Sequence, residues 1–196
     1  MTDYEIKEVI RKAKLLEPLD KPTAEKLELW NKYKLRFKHL PLDTIRITSP
    51  YGKRPPVTVN GVTKDKFHNG IDFGAKIPRK VGDSVYSVDD GIMRYVGFNA
   101  DGYGKYTVIE HNGYCTFYAH LGIQELLINK SVKAGDLIGI MGSTGLSQAA
   151  HLHFGMCIGS YKKGFWENDT TGKQVNGVDP TPLIKELMER QGKTHG

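Results

Sequence analysis

Cysteine is scarce in this chain. Its 196 residues include two, Cys115 and Cys157, too few for the disulfide framework of a small secreted scaffold. Both stand in apolar, strand-like runs, so packed, reduced thiols are expected, with an internal disulfide or a place behind a metal site as the alternatives. No apolar run approaches the roughly 20 residues of a membrane-spanning helix, which argues against membrane insertion. The N-terminus, Met1-Thr2-Asp3-Tyr4-Glu5, lacks the basic-then-apolar layout of a secretory signal. Synthesis in a cytoplasm is therefore expected, or a leader already trimmed. No signature of an RNA- or DNA-binding module is visible, so nucleic acid is not an expected partner.

Glycine, in contrast, is plentiful at 22 residues, which favours a loop-rich, mainly β architecture over a helical bundle. A hydrophobic fraction of 39% and a mean hydropathy of −0.43 describe a soluble globular chain, long enough for one domain with an extension. The formal net charge of +6 and pI near 9.1 suit a polyanionic partner, for which nucleic acid, a membrane surface and an anionic cell-wall polymer all qualify; a simple solubility surplus explains the same numbers.

Read in order, Thr2-Asp3-Tyr4-Glu5 is a capping-box pattern, followed by Ile6, Val9, Ile10, Ala13 and Leu16 at helical spacing. A helix over 3–17 is expected, then a break bracketed by Pro18 and Pro22 and a second helix over about 23–38. From Ile45 the texture changes to short β-type runs separated by glycine. Asn60-Gly61 between Val57-Thr58-Val59 and Val62-Thr63 predicts a hairpin. Two Gly-Asp turns, Gly82-Asp83 and Gly135-Asp136, each feed an apolar strand, and Ile92–Val96, Tyr106–Glu110 and Tyr114–His120 are further strand candidates. The stretch of about 45–179 therefore reads as antiparallel β. Thr181 is expected to cap a short helix with Pro182 at its first position, stopped by Gly192.

The chemistry concentrates in the histidines. His39 and His195 lie in polar, non-periodic surroundings, and His111 sits in a turn signature with a structural or solvent role. His68, His120, His151 and His153 stand instead near strand ends among glycine and aromatic residues. In His151-Leu152-His153-Phe154 the two imidazoles, one residue apart, share a strand face, whereas on a helix they would diverge by about 200°. His68 and Asp72 are four apart and can share a face of an extended segment. Two histidines and one carboxylate form a tripod that leaves a fourth tetrahedral position for water, the arrangement of catalytic zinc. Zinc lowers the pKa of that water from about 16 to about 7, and spare histidines can serve as general base and oxyanion donor. Spacing yields three ligands and two helpers without saying which histidine does which.

Ser49-Pro50-Tyr51-Gly52, Phe67-His68-Asn69-Gly70-Ile71-Asp72, Tyr118-Ala119-His120-Leu121, Gly142-Ser143-Thr144-Gly145 and His151-Leu152-His153-Phe154 together resemble the lysostaphin-type zinc endopeptidases, in the family's order and over about 48–180. The resemblance implies zinc (Zn2+) as cofactor, with His68, Asp72 and His153 as ligands and His120 and His151 assisting catalysis. It also implies hydrolysis of cross-bridges or stem peptides in bacterial peptidoglycan. Many relatives carry Gly-Pro before His-x-His where this chain has Ala149-Ala150, a change in the entering loop that touches no ligand.

The expected fold is a mainly β, antiparallel sheet or sandwich-like metallopeptidase core over 44–182, with an N-terminal helical extension (1–43) and a C-terminal helix and tail (183–196). The resemblance does not reach 1–43, for which contacts with phage virion proteins are an expectation. With no export signal, a wall-cutting enzyme is expected to be a phage lysin or virion component, antibacterial in effect, with secretion behind a lost leader as the alternative. The competing functional reading is a degenerate peptidase-like module that binds wall or activates another hydrolase. A likeness of Val132-Lys133-Ala134-Gly135-Asp136 to turns of biotinyl or lipoyl carriers lacks the exposed lysine flanked by apolar residues that such carriers need. The segments at about 53–66 and 160–177, with Tyr161, Phe165 and Trp166, are expected groove walls.

Overall fold

The computed structural model describes residues 36–59, 62–161 and 177–193. Its main sheet is antiparallel. β1 (Ile47–Ser49) pairs with β4 (Ile71–Gly74), β4 with β11 (His151–Ile158), and β11 with β8 (Tyr114–Gln124). From β8 the sheet continues through β7 (Gly104–Glu110) and β6 (Gly91–Asn99) to β9 (Ser131–Val132). β10 (Leu137–Met141) branches from β8 and also pairs with β5 (Ser84–Tyr86), while β12 (Gly177–Val178) adds to β11. A separate hairpin of β2 (Gly52–Val59) and β3 (Val62–His68) leads into β4, with Val59 opposite Val62 as the Asn-Gly signal implies. The two strands fed by the Gly-Asp turns, β5 and β10, are partners of one another.

Alternation along the central strands sorts side chains to two faces. Ile71 and Phe73 of β4, Leu152, Phe154 and Met156 of β11, and Tyr114 and Tyr118 of β8 enter one hydrophobic core. Phe37, Phe73 and Phe154 are fully buried there, each contributing about 1.5–3 kcal/mol of apolar transfer energy. The helix α1 (Thr181–Arg190) closes this face with Leu183, Ile184, Leu187 and Met188, and Phe37, Leu40 and Leu42 pack into the same core from the other end of the chain. The opposite face carries a smaller cluster of Val108, Cys115, Phe117, Ala119 and Cys157, and His151, His153 and Asp72 stand on that side. Cys115 and Cys157 are cross-strand neighbours and free thiols, and burial pushes the Cys115 thiol up.

Three expectations need amendment. The helix over 3–17 and nearly all of that over 23–38 lie outside the described residues; residues 36–38 are not helical, and Phe37 enters the core from an irregular segment. Thr181 does not cap α1 with its hydroxyl. Pro180 stands at the N-cap without a side-chain cap bond, the Asp179 carboxylate accepts from the Thr181 N–H at 2.9 Å just ahead of the helix, and Pro182 falls one position later than expected. His68 and Asp72 do not share one strand: β3 ends at His68, and Asn69-Gly70 turns the chain into β4. Among the described residues no helix is long and apolar enough to cross a membrane.

His111 is structural. It is buried at the end of β7, stacked on Tyr114, with its Nδ1 on the Asp90 carbonyl at 2.8 Å and its Nε2 on the Thr116 hydroxyl at 2.8 Å. Burial pushes its imidazole below the ordinary value against the opposing pull of the Asp90 carbonyl. The folded state thus prefers neutral His111, while the unfolded chain protonates it near pH 6.5. Its stabilisation is present above about pH 6.5 and is lost as pH falls below that value. The thermal midpoint of the wild type should therefore drop more steeply between about pH 7.5 and 5.5 than that of His111→Gln. Equal slopes would show that His111 does not set this dependence.

Candidate metal centre and active site

Asp72 stands directly across from His153 in the β4–β11 pairing, and Gly74 across from His151. Because Leu152 and Phe154 are fully buried in the core, the intervening His151 and His153 must point to the opposite face. The turn at Asn69-Gly70 folds His68 back over the same point. His68 Nε2, Asp72 Oδ1 and His153 Nδ1 then form a triangle with all three sides at 3.0 Å. Ligands about 2.0–2.2 Å from one tetrahedral ion lie about 3.3–3.6 Å apart, so the triangle needs only a small expansion to hold one.

The hydrogen-bonding state of these atoms supports the fit. His68 Nδ1 lies 2.7 Å from the Pro50 carbonyl, which can only accept, so that nitrogen carries the hydrogen and Nε2 turns a lone pair into the triangle. Burial alone would raise the Asp72 carboxyl, but the close approach of the His153 and His68 rings outweighs it and holds the group well below the usual carboxylate range. Burial pushes His153 down to about 4, against the pull of Asp72, so at neutral pH the ring is uncharged. Its Nε2 is buried without a hydrogen-bond partner among the described residues, leaving Nδ1 as the working atom. Two neutral imidazole nitrogens and a carboxylate converging on one point are the donor set of a divalent transition metal, zinc in particular.

The remaining two histidines stand beside the triangle. His120 and His151 have ring centroids 4.5 Å apart, and His151 Nε2 lies 3.9 Å from Asp72 Oδ1. Each is held by the device that holds His68. His120 Nδ1 donates to the Thr144 carbonyl at 2.8 Å, and His151 Nδ1 to the Ala149 carbonyl at 2.8 Å. Both therefore present Nε2 as an acceptor. Burial keeps His120 below the ordinary imidazole value, opposed by the Thr144 carbonyl. The Gly142-Ser143-Thr144-Gly145 motif places that carbonyl: Thr144 Oγ1 bonds the Leu121 carbonyl at 2.7 Å, and Gly145, at φ 72°, lies so close to Gly104 that a Cβ would overlap backbone.

His120 reaches the site by breaking the alternation of its strand. Tyr114 and Tyr118 face the core and Phe117 and Ala119 the other side, so parity sends residue 120 coreward. The register instead slips by one between Lys105↔Leu121 and Thr107↔Tyr118, and His120 takes φ 60°. This bulge turns the imidazole to the site while Leu121 returns to the core. No sequence signal foretold it. Also unforeseen were Arg54, whose guanidinium lies 3.2 Å from Asp72 Oδ2, and Tyr103, whose ring packs 5.3 Å from that of His153. Of the expected groove-wall aromatics, Tyr161 stacks on Tyr95, and Phe165 and Trp166 lie outside the described residues.

The left-handed backbone at position 120 yields a stability test. Both His120→Ala and His120→Gly remove the ring, but only alanine keeps the cost of a Cβ at φ 60°. The glycine variant should be the more stable by about 1 kcal/mol in denaturant unfolding, the reverse of the usual order within a strand. A more stable alanine variant would mean that the backbone relaxes.

Comparison with known proteins gives one consistent answer. Residues 66–168 match the profile described as peptidase family M23. The DD-carboxypeptidase/endopeptidase Mpg of Neisseria meningitidis is 37% identical over 154 residues, 76% of this chain and 31% of that protein. The crystal structure of the catalytic domain of the antimicrobial peptidase lysostaphin from Staphylococcus simulans superposes with a TM-score of 0.59 at 28% identity, covering 76% of this chain and 99% of that one. A zinc-containing peptidase from Vibrio cholerae gives a TM-score of 0.55 at 31% identity over 74% of this chain and 39% of its own. The chain spans at most about a third of the length of the first curated relatives it matches, between 24% and 32%.

Proposed function

The chain belongs to peptidase family M23, and from that premise we propose that it is a zinc-dependent endopeptidase acting on peptide bonds of bacterial peptidoglycan. The observation that carries this reading is the 3.0 Å triangle of His68 Nε2, Asp72 Oδ1 and His153 Nδ1, flanked by two further histidines whose Nε2 atoms are acceptors. His68, Asp72 and His153 would hold the zinc. Bound there, the metal supplies a Lewis acid for the scissile carbonyl and makes water acidic enough to attack at neutral pH.

The chain's own groups do the proton handling. His151 accepts the proton of the attacking water at Nε2, the position its bond to the Ala149 carbonyl leaves open. A charged ring beside His120 then becomes a donor, able to steady the developing oxyanion and to deliver the proton to the leaving amine. His68 and Asp72 stay fixed throughout, the first by the Pro50 carbonyl and the second by Arg54. The peptidase unit is proposed to span 44–182, between an extension at 1–43 and the C-terminal segment at 183–196. For the route to the wall we propose a phage setting, as a lysin or a virion component using 1–43 for contacts, with secretion as the competing route. The net charge of +6 supports adsorption to anionic wall polymers in either case.

His153→Ala should lose zinc and turnover together, since two ligands remain. His151→Ala should keep its zinc while turnover of purified peptidoglycan falls by about 100- to 10,000-fold. Metal analysis and fragment release check both. Equal loss of zinc in the two variants would overturn the division of roles. A wild type that binds zinc and wall without releasing fragments would instead support the degenerate module.

A further inference from the structure

The groove over the triangle encloses about 790 Å³ and is charged on one wall only. Asp72 is its one lining carboxylate among the described residues, set against four cations: Arg46, Arg54, Lys66 and Arg79. Sheet order separates the two walls. Arg46 enters β1, beyond β4; Arg54 and Lys66 face each other on the β2–β3 hairpin; Arg79 lies in the connection after β4. Across the site, the connections before β7 and before β11 present Tyr103, Leu146, Ser147 and Gln148, all uncharged. Arg54 is engaged with Ser49 Oγ at 2.7 Å and with Asp72. Arg46, Lys66 and Arg79 have no carboxylate partner among the described residues.

Arg46 is tied to the site by the sheet register. The Gly74 N–H donates to its backbone carbonyl at 2.9 Å, and the other cross-strand neighbour of Gly74 is His151. Arg46, Gly74 and His151 thus form one row across three strands, beside the row of Asp72 and His153. The Arg46 guanidinium folds over Gly74, where a Cβ would overlap it, and donates to the Ala75 carbonyl at 3.0 Å. That uses one of five N–H groups, and the others remain for the groove. Arg79 adds a second cation from a backbone held at φ 65°, a strained setting for an exposed residue that forms no ion pair among the described residues.

We propose that this wall is a carboxylate-binding subsite, with Arg46 as its anchor and Lys66 and Arg79 adding to the field. The inference rests on the peptidase reading and narrows it. The preferred substrate is an anionic stem peptide whose free carboxylate lies beside the scissile bond, in preference to an uncharged glycine bridge. A guanidinium suits that ligand because its planar fork matches a carboxylate in two parallel hydrogen bonds. An uncharged peptide would leave three cations along the groove without a counter-charge.

The test uses a D-alanine-linked stem dimer with free carboxylates and the same dimer converted to carboxamides. The wild type should favour the acid by about 10- to 100-fold in kcat/KM, mainly through KM, as expected for hydrogen bonds to a charged group. In Arg46→Ala that ratio should collapse to within about threefold, with zinc content unchanged, and Arg46→Lys should recover part of it. Arg79→Ala should reduce it by a smaller factor. Calorimetric binding of the same pair to zinc-loaded His151→Ala gives a second reading that needs no cleavage, and should show the same preference. Equal handling of acid and amide by the wild type, or a ratio that survives in Arg46→Ala, would overturn the subsite. If neither dimer nor peptidoglycan is cut, the peptidase reading fails, and the binding preference still decides the subsite by itself.

Discussion

The pairing of β4 with β11 puts Asp72 opposite His153 while sending Ile71, Phe73, Leu152 and Phe154 to the other face, and every feature of the site depends on that register. A slip of one residue would carry the carboxylate and both histidines of β11 toward the core and bring apolar side chains to the groove. The core forbids this. Burial of the aromatic and aliphatic residues on one face and convergence of polar groups on the other are two consequences of one set of backbone hydrogen bonds. The ligand geometry is therefore held by the hydrophobic effect, acting through residues that never touch the site.

A second layer of control comes from the main chain. Three imidazoles donate through Nδ1 to the carbonyls of Pro50, Thr144 and Ala149. Each bond selects one tautomer and aims Nε2 at the centre, so one histidine can bind a metal and two can accept a proton. The conformations that place these carbonyls explain two of the motifs outside the histidines. Ser49-Pro50-Tyr51-Gly52 brings an acceptor to His68, and Gly142-Ser143-Thr144-Gly145 brings one to His120, seated on a glycine contact that no Cβ could enter. The groove then acquires its one-sided charge from the β2–β3 hairpin and from the segments flanking β1 and β4, which bring Arg54, Lys66, Arg46 and Arg79 to the same side.

Much of this was legible in the chain itself. The alternating runs around Tyr114–His120 and His151–Ile158, the Asn60-Gly61 turn and the two Gly-Asp turns announce antiparallel strands, because strand burial and turn stereochemistry are local. Where local rules compete, they misled. Thr181 is a good capping residue, yet the N-cap falls one residue earlier, at Pro180, and the Thr181 N–H turns to the Asp179 carboxylate. His68 and Asp72 have even spacing, yet a turn between them does what strand parity was expected to do. His120 obeys no pattern of its own strand, since its bulge is set by how β7 and β10 pair with β8 on either side.

The sequence by itself determined the chemistry available: four histidines and an aspartate of the right types, two of the histidines on a strand whose alternation separates them from the core, in an order that identifies the family. Residue type and local periodicity carry that information, and both are properties of the chain. Only the tertiary structure decided which nitrogen of each ring faces inward, how His120 joins the others, and which wall of the groove is cationic. Those outcomes depend on backbone carbonyls and guanidinium groups brought together from strands far apart in the chain. A carbonyl is offered by every residue, so its role becomes visible only where folding places it.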